Sequence, residues 1–205
     1  MTSRLRKFVL TSHVTTSVGW LGAVAVFVAL AITGLTTLDN QLARSMCQSL
    51  AVSAWYVVVP LCLASLITGV IQAVGTKWGL FKHYWIVVKL FLTVAMTFLL
   101  LLHLKPINHL AEAAAQPSFS GPDNADALIN LIAKAGAAVL ALIATTTISI
   151  YKPWGRIAVS GQGNTQVSFS EKGKRPLRFY LMIVVAALLT AFIIMHLMSG
   201  GRHGH

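Results

Sequence analysis

Acidic residues, and charge in general, are scarce in this chain. Only 5 of its 205 residues are Asp or Glu, and charged residues make up 10% of the composition against 56% hydrophobic residues. Soluble domains carry about 25% charged residues, so the composition predicts an integral membrane protein. The acids fall almost entirely in predicted loops on one side of the membrane. The paired carboxylates that acid–base hydrolysis often uses are therefore absent from the predicted bundle. These loop acids are Asp39, Glu112, Asp123 and Asp126.

Cysteine is also rare, and its placement excludes two kinds of site. Cys47 and Cys62 show no CxxC spacing, and Cys62 lies within an apolar run. Neither a zinc site nor a disulfide framework is indicated, and both residues are expected to act as small packing side chains. The net charge of +11 does not indicate a nucleic-acid partner, because the basic residues form short clusters between apolar runs.

What the sequence does contain is a series of long apolar runs, each able to cross a bilayer, which takes about 20 residues. They cover residues 8–38, 52–74, 83–104, 127–151 and 179–199. The first is too long for a signal peptide, whose apolar core is about 7–15 residues. Residues 39–49 are predicted to close the first run, Pro60 to kink the second, and residues 107–126 to form a loop with a short helix at 110–115.

These runs predict one all-α transmembrane domain over residues 1–205, a bundle of five helices made of a four-helix core plus one. Residues 152–178 are basic and contain Gly and Ser, which predicts a partly disordered cytoplasmic loop that contacts anionic lipid or a cytoplasmic partner. The bilayer itself is the main partner. The sequence leaves open whether the chain forms a homo- or hetero-oligomer.

The distribution of Lys and Arg predicts the orientation. Outer loops would hold only Arg44, Lys105 and Arg202, whereas the inner side would hold eleven basic residues. Cytoplasmic loops carry the excess of basic residues, so the N-terminus is predicted in the cytoplasm, the C-terminus outside, and the protein in the cell inner membrane. The eleven are Arg4, Arg6, Lys7, Lys77, Lys82, Lys152, Arg156, Lys172, Lys174, Arg175 and Arg178.

Ionisable side chains interrupt the third apolar run at His83, Lys89 and His103. Such groups are costly in hydrocarbon and usually face a bundle interior, a cofactor or an aqueous cavity. Lys89, Met96 and His103 are spaced by seven residues, which places them on one helix face. Lys89 would either extend to the inner phosphates or contact a group inside the bundle, such as a haem propionate.

The histidines sort into two layers at the two membrane faces. His13 and His83 lie at the inner ends of helices one and three, and His103 and His196 at the outer ends of helices three and five. A pair such as His13 with His83, or His103 with His196, would supply two axial nitrogens to a haem iron. These four are also the candidate metal ligands, and the alternative for each is an ordinary interface residue.

On the first helix, His13, Ser17 and Trp20 fall at positions i, i+4 and i+7 and share a face. Gly19 and Gly22 leave room there for a neighbouring backbone or for a flat macrocycle. Helix packing uses glycine in the same way, so the pattern indicates either close packing or a cofactor site.

Two stretches resemble known bacterial membrane families. The first helix contains HVTTSVGWLGAVAVF, with a His-x6-Trp-x-Gly pattern, and the next two runs contain TGVIQAVGTKWGLFKHYWIVVKLFLTVAMTFLLLLH. Over residues 5–106 the chain resembles copper-resistance D-like proteins, haem-binding bacterial protoporphyrinogen IX oxidases and related families of unknown function. The resemblance implies a b-type haem near His13 and Lys89.

Three hypotheses follow for the function. The first is a membrane protein that binds b-type haem and transfers electrons, which would make it a haem-dependent oxidoreductase, with His13, Trp20, Lys89, His103 and His196 at the cofactor. The second is a protein that handles copper or another small solute, with Met195 and the same histidines as ligands. The third is a structural or assembly subunit without a cofactor.

Overall fold

The computed structural model describes residues 2–75 and 84–151, and within these ranges the chain forms helices and no strand. The helices are α1 (Ser3–Thr36), α2 (Asn40–Ser53), α3 (Val59–Gly75), α4 (Tyr84–Ala115) and α5 (Ala125–Tyr151), with a 3₁₀ turn at Pro122–Asn124. A π-helical turn at Ala54–Val58 joins α2 and α3 into one rod over Asn40–Gly75. The predicted fifth span, the basic loop and His83 lie outside the described residues.

The four rods pack as an antiparallel bundle. α1 contacts the α2–α3 rod on one side and α5 on the other, and α4 contacts the same two neighbours. α1 and α4 therefore lie diagonally across the bundle, and their inward side chains meet at its centre. We call the end where α1 begins and α5 ends the proximal end, and the opposite end, at Thr36 and Ala125, the distal end.

Local hydrogen bonds explain where α1 ends and α2 begins. The Thr37 N–H donates to the Thr33 carbonyl at 3.1 Å, and Thr37 itself adopts an extended conformation that stops the helix. The Asp39 carboxylate then accepts from the Gln41 N–H at 2.8 Å, a side-chain cap that satisfies one of the free donors at a helix start. A turn of only three residues thus reverses the chain.

The π-helical turn lies directly before Pro60. Proline has no N–H, and its ring collides with the carbonyl four residues earlier, here that of Tyr56. The Val59 N–H donates instead to the carbonyl of Ala54, five residues back. The wider turn accommodates the proline in a continuous rod, and it carries Trp55 and Tyr56 outward, where they are 46% and 79% exposed.

Two segments that were predicted to connect the spans belong to the helical rods. Residues 39–49, predicted to close the first run, lie mostly in α2, and residues 107–115, predicted as loop with a short helix, continue α4 through Pro106. Both segments bury side chains at helical spacing, Ala43, Cys47 and Leu50 in α2 and Ile107, Leu110 and Ala114 in α4. These pack with other buried residues into the distal core, which includes Phe27, Ala31, Ala54, Leu104, Phe119, Leu128 and Leu131.

All four rods are long and apolar enough to cross a membrane, and they exceed its thickness. The rods have 34, 36, 30 and 29 residues within these candidate spans, or about 44–54 Å at about 1.5 Å per residue, against a hydrocarbon core of about 30 Å. The excess lies distally, where the exposed side chains become polar. Exposed polar residues there include Gln41, Ser45 and Gln48 on α2 and Lys105, His109 and Glu112 on α4.

Candidate functional site

A polar cluster surrounds His13 in the proximal half of the bundle. The His13 Nδ1 lies 3.1 Å from the Ser65 carbonyl oxygen and 3.3 Å from the Thr68 hydroxyl oxygen. The Thr68 hydroxyl donates to the Ala64 carbonyl at 2.6 Å, so its oxygen is an acceptor toward the ring. Since a carbonyl oxygen only accepts, the proton is on Nδ1, and the neutral ring carries its lone pair on Nε2.

The same cluster holds α1 close to α3. The Ser17 and Ser65 hydroxyls are 2.8 Å apart, and Ser65 is buried. Gly69 lies against the imidazole, because a Cβ at this position would be 2.9 Å from His13 Cε1. The absence of a side chain at Gly69 is therefore what allows the ring to reach the α3 backbone.

Lys89 approaches this cluster from α4, which lies diagonally opposite α1 in the bundle. Its ammonium charge acts on the His13 ring, and its side chain is only partly exposed. Burial of a cation beside a histidine in a membrane-spanning bundle is costly unless a group of opposite charge or a strong acceptor compensates it. His13 and Lys89 thus form a pair of nitrogen-bearing groups at the proximal centre.

The middle of the bundle is an apolar layer with few polar groups. Trp20 is 3% exposed and packs with Cys62 and Met96, and the Cys62 thiol is 3.1 Å from the Thr97 hydroxyl. The Thr97 hydroxyl also donates to the Thr93 carbonyl at 2.8 Å. Trp20, one of the predicted cofactor residues, therefore belongs to the layer that separates His13 from the distal half.

His103 lies on the other side of this layer. It is buried, and its Nδ1 is 2.6 Å from the Leu99 carbonyl, so this ring also carries its proton on Nδ1. His103 lines a cavity of about 70 Å³ together with Trp20, Phe27, Met96 and Lys134. Fourteen residues separate it from Lys89 on α4, or about 21 Å along the axis, so the structure does not bring His103 to the His13 cluster.

The predicted site residues are thus divided between two places. His13 lies proximally, within reach of the charge of Lys89, whereas Trp20 and His103 line the cavity. His83 and His196 lie outside the described residues, so the predicted pairs His13–His83 and His103–His196 remain predictions. Among residues 2–75 and 84–151, no group of three or more His, Cys, Asp or Glu side chains is placed to hold a metal ion.

Several residues of the two sites were missed by the sequence reading. Ser65, Thr68 and Gly69 form the α3 side of the His13 cluster, and a small polar i, i+3, i+4 pattern within an apolar run was the available signal. Lys134 lines the cavity while remaining partly exposed. A Cβ built at Gly19 would lie 3.5 Å from Leu61, an ordinary contact distance, and Gly22 faces open space.

Comparison with known proteins gave no match. No protein-family profile, no curated protein and no solved structure matches this chain. The resemblance of residues 5–106 to the haem- and copper-related families is neither supported nor contradicted by these comparisons.

Proposed function

We propose that this protein is a multi-pass inner-membrane protein that binds b-type haem in the proximal half of its bundle and transfers electrons within the membrane. The observation that carries the proposal is the His13 imidazole, held by the Ser65 carbonyl at 3.1 Å, with the charge of Lys89 on the diagonally opposite helix close enough to act on it. His13 and Lys89 are the two residues that the resemblance implies to lie near haem. They are 76 positions apart in the chain, so their proximity is a property of the fold.

The residues of the proximal cluster fit a haem in their chemistry. A metal-bound histidine usually donates its other ring N–H to a backbone carbonyl or carboxylate, and His13 does this toward Ser65. The His13 Nε2 would bind the haem iron, Gly69 and Ser65 would fix the ring, and the Lys89 ammonium would balance a propionate. When bound, haem supplies a one-electron couple of its iron.

His103, in the distal half of the bundle, is a weaker location for the same cofactor. The cavity beside His103 measures about 70 Å³, less than half of a cavity of about 150 Å³ that holds benzene. A macrocycle has no room there among the described residues. The proposal assigns the haem to His13 because the Ser65 carbonyl and Lys89 accompany that ring. The pair of His103 with His196 stays a prediction whose second member lies outside the described residues.

The proposed orientation places the proximal end in the cytoplasm. Arg4, Arg6 and Lys7 precede or begin the apolar part of α1 at that end, and basic residues flanking spans are enriched on the cytoplasmic side. With a fifth span at 179–199, the C-terminus would lie outside. The polar distal extension would then face the external solution.

The test is a reduced-minus-oxidised visible spectrum of the detergent-purified protein from haem-replete cells, with haem quantified per chain. We expect a Soret band that shifts on reduction and about one haem per chain. His13→Ala removes the nitrogen proposed to bind the iron and should abolish the band, and Lys89→Ala should weaken or shift it.

His109→Ala is the matched control. His109 is exposed and pairs only with Glu112, at 3.7 Å, among the described residues, so its loss should leave the spectrum unchanged. A colourless preparation would overturn the haem proposal. Copper bound in stoichiometric amount would then favour the solute-handling alternative, and co-purification of a partner that depends on residues 152–178 would favour the assembly subunit.

A further inference from the structure

The cavity at the centre of the distal half is bounded by all four rods. Its walls are almost entirely apolar, with side chains of Val24 on α1, Val58 in the π-helical turn, Leu100 on α4 and Leu131 on α5. It is not fully enclosed. A cavity with such walls stays dry unless it offers water two to four polar partners, so an apolar occupant is favoured over water.

The size of the cavity limits what that occupant is. About 70 Å³ is too small for an aromatic ring, since benzene occupies an engineered cavity of about 150 Å³. A segment of an alkyl chain a few carbons long is narrow enough. Because α4 and α5 contact each other less than α1 contacts its neighbours, a chain that enters from the bilayer would pass between α4 and α5.

Lys134 adds a charge at this place. It lines the cavity from α5 and is partly exposed. Within residues 2–75 and 84–151, the one ion pair is that of His109 with Glu112, so no carboxylate there neutralises Lys134. A cation between an apolar cavity and the bundle surface is complementary to an anionic group that carries an alkyl chain.

The depth of the cavity agrees with a lipid headgroup at Lys134. Ala54 and His103 also line it, and their chain neighbours Trp55, Tyr56 and Lys105 are exposed, as in the aromatic and basic belt at a membrane surface. From Phe27, a further lining residue, to Lys7 is 20 residues, or about 30 Å of helix. This equals the hydrocarbon thickness.

We propose that this cavity is a binding site for an anionic phospholipid, with one acyl-chain segment inserted between α4 and α5 and the headgroup phosphate bound by Lys134. The site is separate from the proposed haem position, and the proposal does not depend on haem. A bilayer supplies phospholipid beside the opening at high local concentration, which favours this source of an anionic amphiphile over a free fatty acid.

The test uses Trp20, which lines the cavity and is 3% exposed, as a fluorescent reporter. A variant with Trp55, Trp78, Trp85 and Trp154 changed to Phe is reconstituted in vesicles that contain phosphatidylglycerol or phosphatidylcholine with brominated acyl chains, which quench nearby tryptophan. One lysine near an anionic lipid surface is worth about fivefold in binding. We expect half-maximal quenching at about fivefold less phosphatidylglycerol than phosphatidylcholine.

Two pairs of variants make this result specific. Lys134→Gln should remove the preference for phosphatidylglycerol, whereas Lys105→Gln, an exposed lysine near the same level that does not line the cavity, should keep it. Ala138→Leu fills the cavity and should reduce the quenching, whereas Ala133→Leu on the exposed face of α5 should not.

Equal quenching by both lipids, or an equal effect of the two lysine variants, would overturn the proposal. Quenching by brominated stearate but not by brominated phosphatidylglycerol would overturn the assignment to phospholipid. Native mass spectrometry of the full chain with all its tryptophans provides a second measurement. Phosphatidylglycerol should remain bound to the natural chain and to Lys105→Gln but be lost from Lys134→Gln, and equal retention by all three would contradict the site.

Discussion

Gly69 is the residue at which the packing of the proximal site is most sensitive. An alanine there would place its Cβ 2.9 Å from His13 Cε1 and 3.3 Å from Nδ1, so either the ring leaves the Ser65 carbonyl or α1 and α3 separate. We expect Gly69→Ala to lower the free energy of unfolding by about 1–3 kcal/mol, the usual cost of overpacking. The loss is measured from thermal unfolding in detergent.

Gly22→Ala is the matched control for this prediction. It lies in the same bundle, but no atom is within 4 Å of a Cβ built at this position. Glycine in a helix interior costs about 0.5–1 kcal/mol relative to alanine, so this variant should be neutral or slightly more stable. Equal destabilisation of both variants would show that close packing against His13 is not the cause.

The hydroxyl pair of Ser17 and Ser65 permits a second test at the same scale. Their oxygens are 2.8 Å apart, and each single alanine variant leaves the other hydroxyl without this partner. We expect each to lose about 1 kcal/mol of stability and the double variant to lose less than the sum, with a coupling of about 0.5–1.5 kcal/mol. Strict additivity in a double-mutant cycle would contradict the hydrogen bond.

At the scale of elements, hydropathy and helical periodicity led to different parts of the fold. Hydropathy predicted the four rods within the described residues, because a helix that crosses the hydrocarbon core needs a long run of apolar side chains. It missed the distal extensions, because α2 and the end of α4 mix polar and apolar residues. The buried positions of α2, Ala43, Cys47 and Leu50, follow a 3.6-residue period. This period is the signal that predicts a helix there.

Pro106 shows how local propensity was outweighed by packing. The third apolar run was predicted to end at residue 104, yet Pro106 lies exposed inside α4, which continues to Ala115. The next turns bury Ile107 and Leu110 in the distal core. Each such side chain contributes about 1.5–3 kcal/mol when fully buried. Together the two equal or exceed the roughly 3 kcal/mol cost of an interior proline.

This balance predicts that Pro106→Ala stabilises the protein. Alanine restores an N–H that can donate within the helix and removes the ring clash, and the exposed proline contributes little packing. We expect a gain of about 1–3 kcal/mol in thermal unfolding. Pro122→Ala is the control, because Pro122 begins the 3₁₀ turn, where proline is favoured, and its loss should give no gain. A destabilised Pro106→Ala would mean that the distal core requires the proline geometry.

At the scale of the whole molecule, sequence spacing predicted helix faces but not which faces meet. The spacing of Lys89, Met96 and His103 placed them on one side of α4, and that of His13, Ser17 and Trp20 on one side of α1. That α1 and α4 lie diagonally, with Lys89 near His13, depends on contacts between distant segments. No local pattern encodes such contacts, so the packing of Ser65, Thr68 and Gly69 against His13 was found only in the structure.

The position of the whole bundle in the membrane can be tested by thiol labelling. Cys47 and Cys62 are fully buried, so single cysteines introduced at the surface are the reactive thiols among the described residues. With the distal end outside, a membrane-impermeant maleimide added to spheroplasts should label Glu112→Cys, whose native side chain is 75% exposed. It should label Arg4→Cys only after permeabilisation, because the proximal end would face the cytoplasm.

Ile67→Cys tests the lipid-facing part of the same arrangement. Ile67 is 57% exposed but lies on α3 between the two polar ends, where a thiol in hydrocarbon does not form the reactive thiolate. It should remain unlabelled in both conditions and react only after the protein is unfolded in detergent. Labelling of Arg4→Cys in intact spheroplasts would reverse the orientation, and labelling of Ile67→Cys there would show that this surface of the rod faces water instead of lipid.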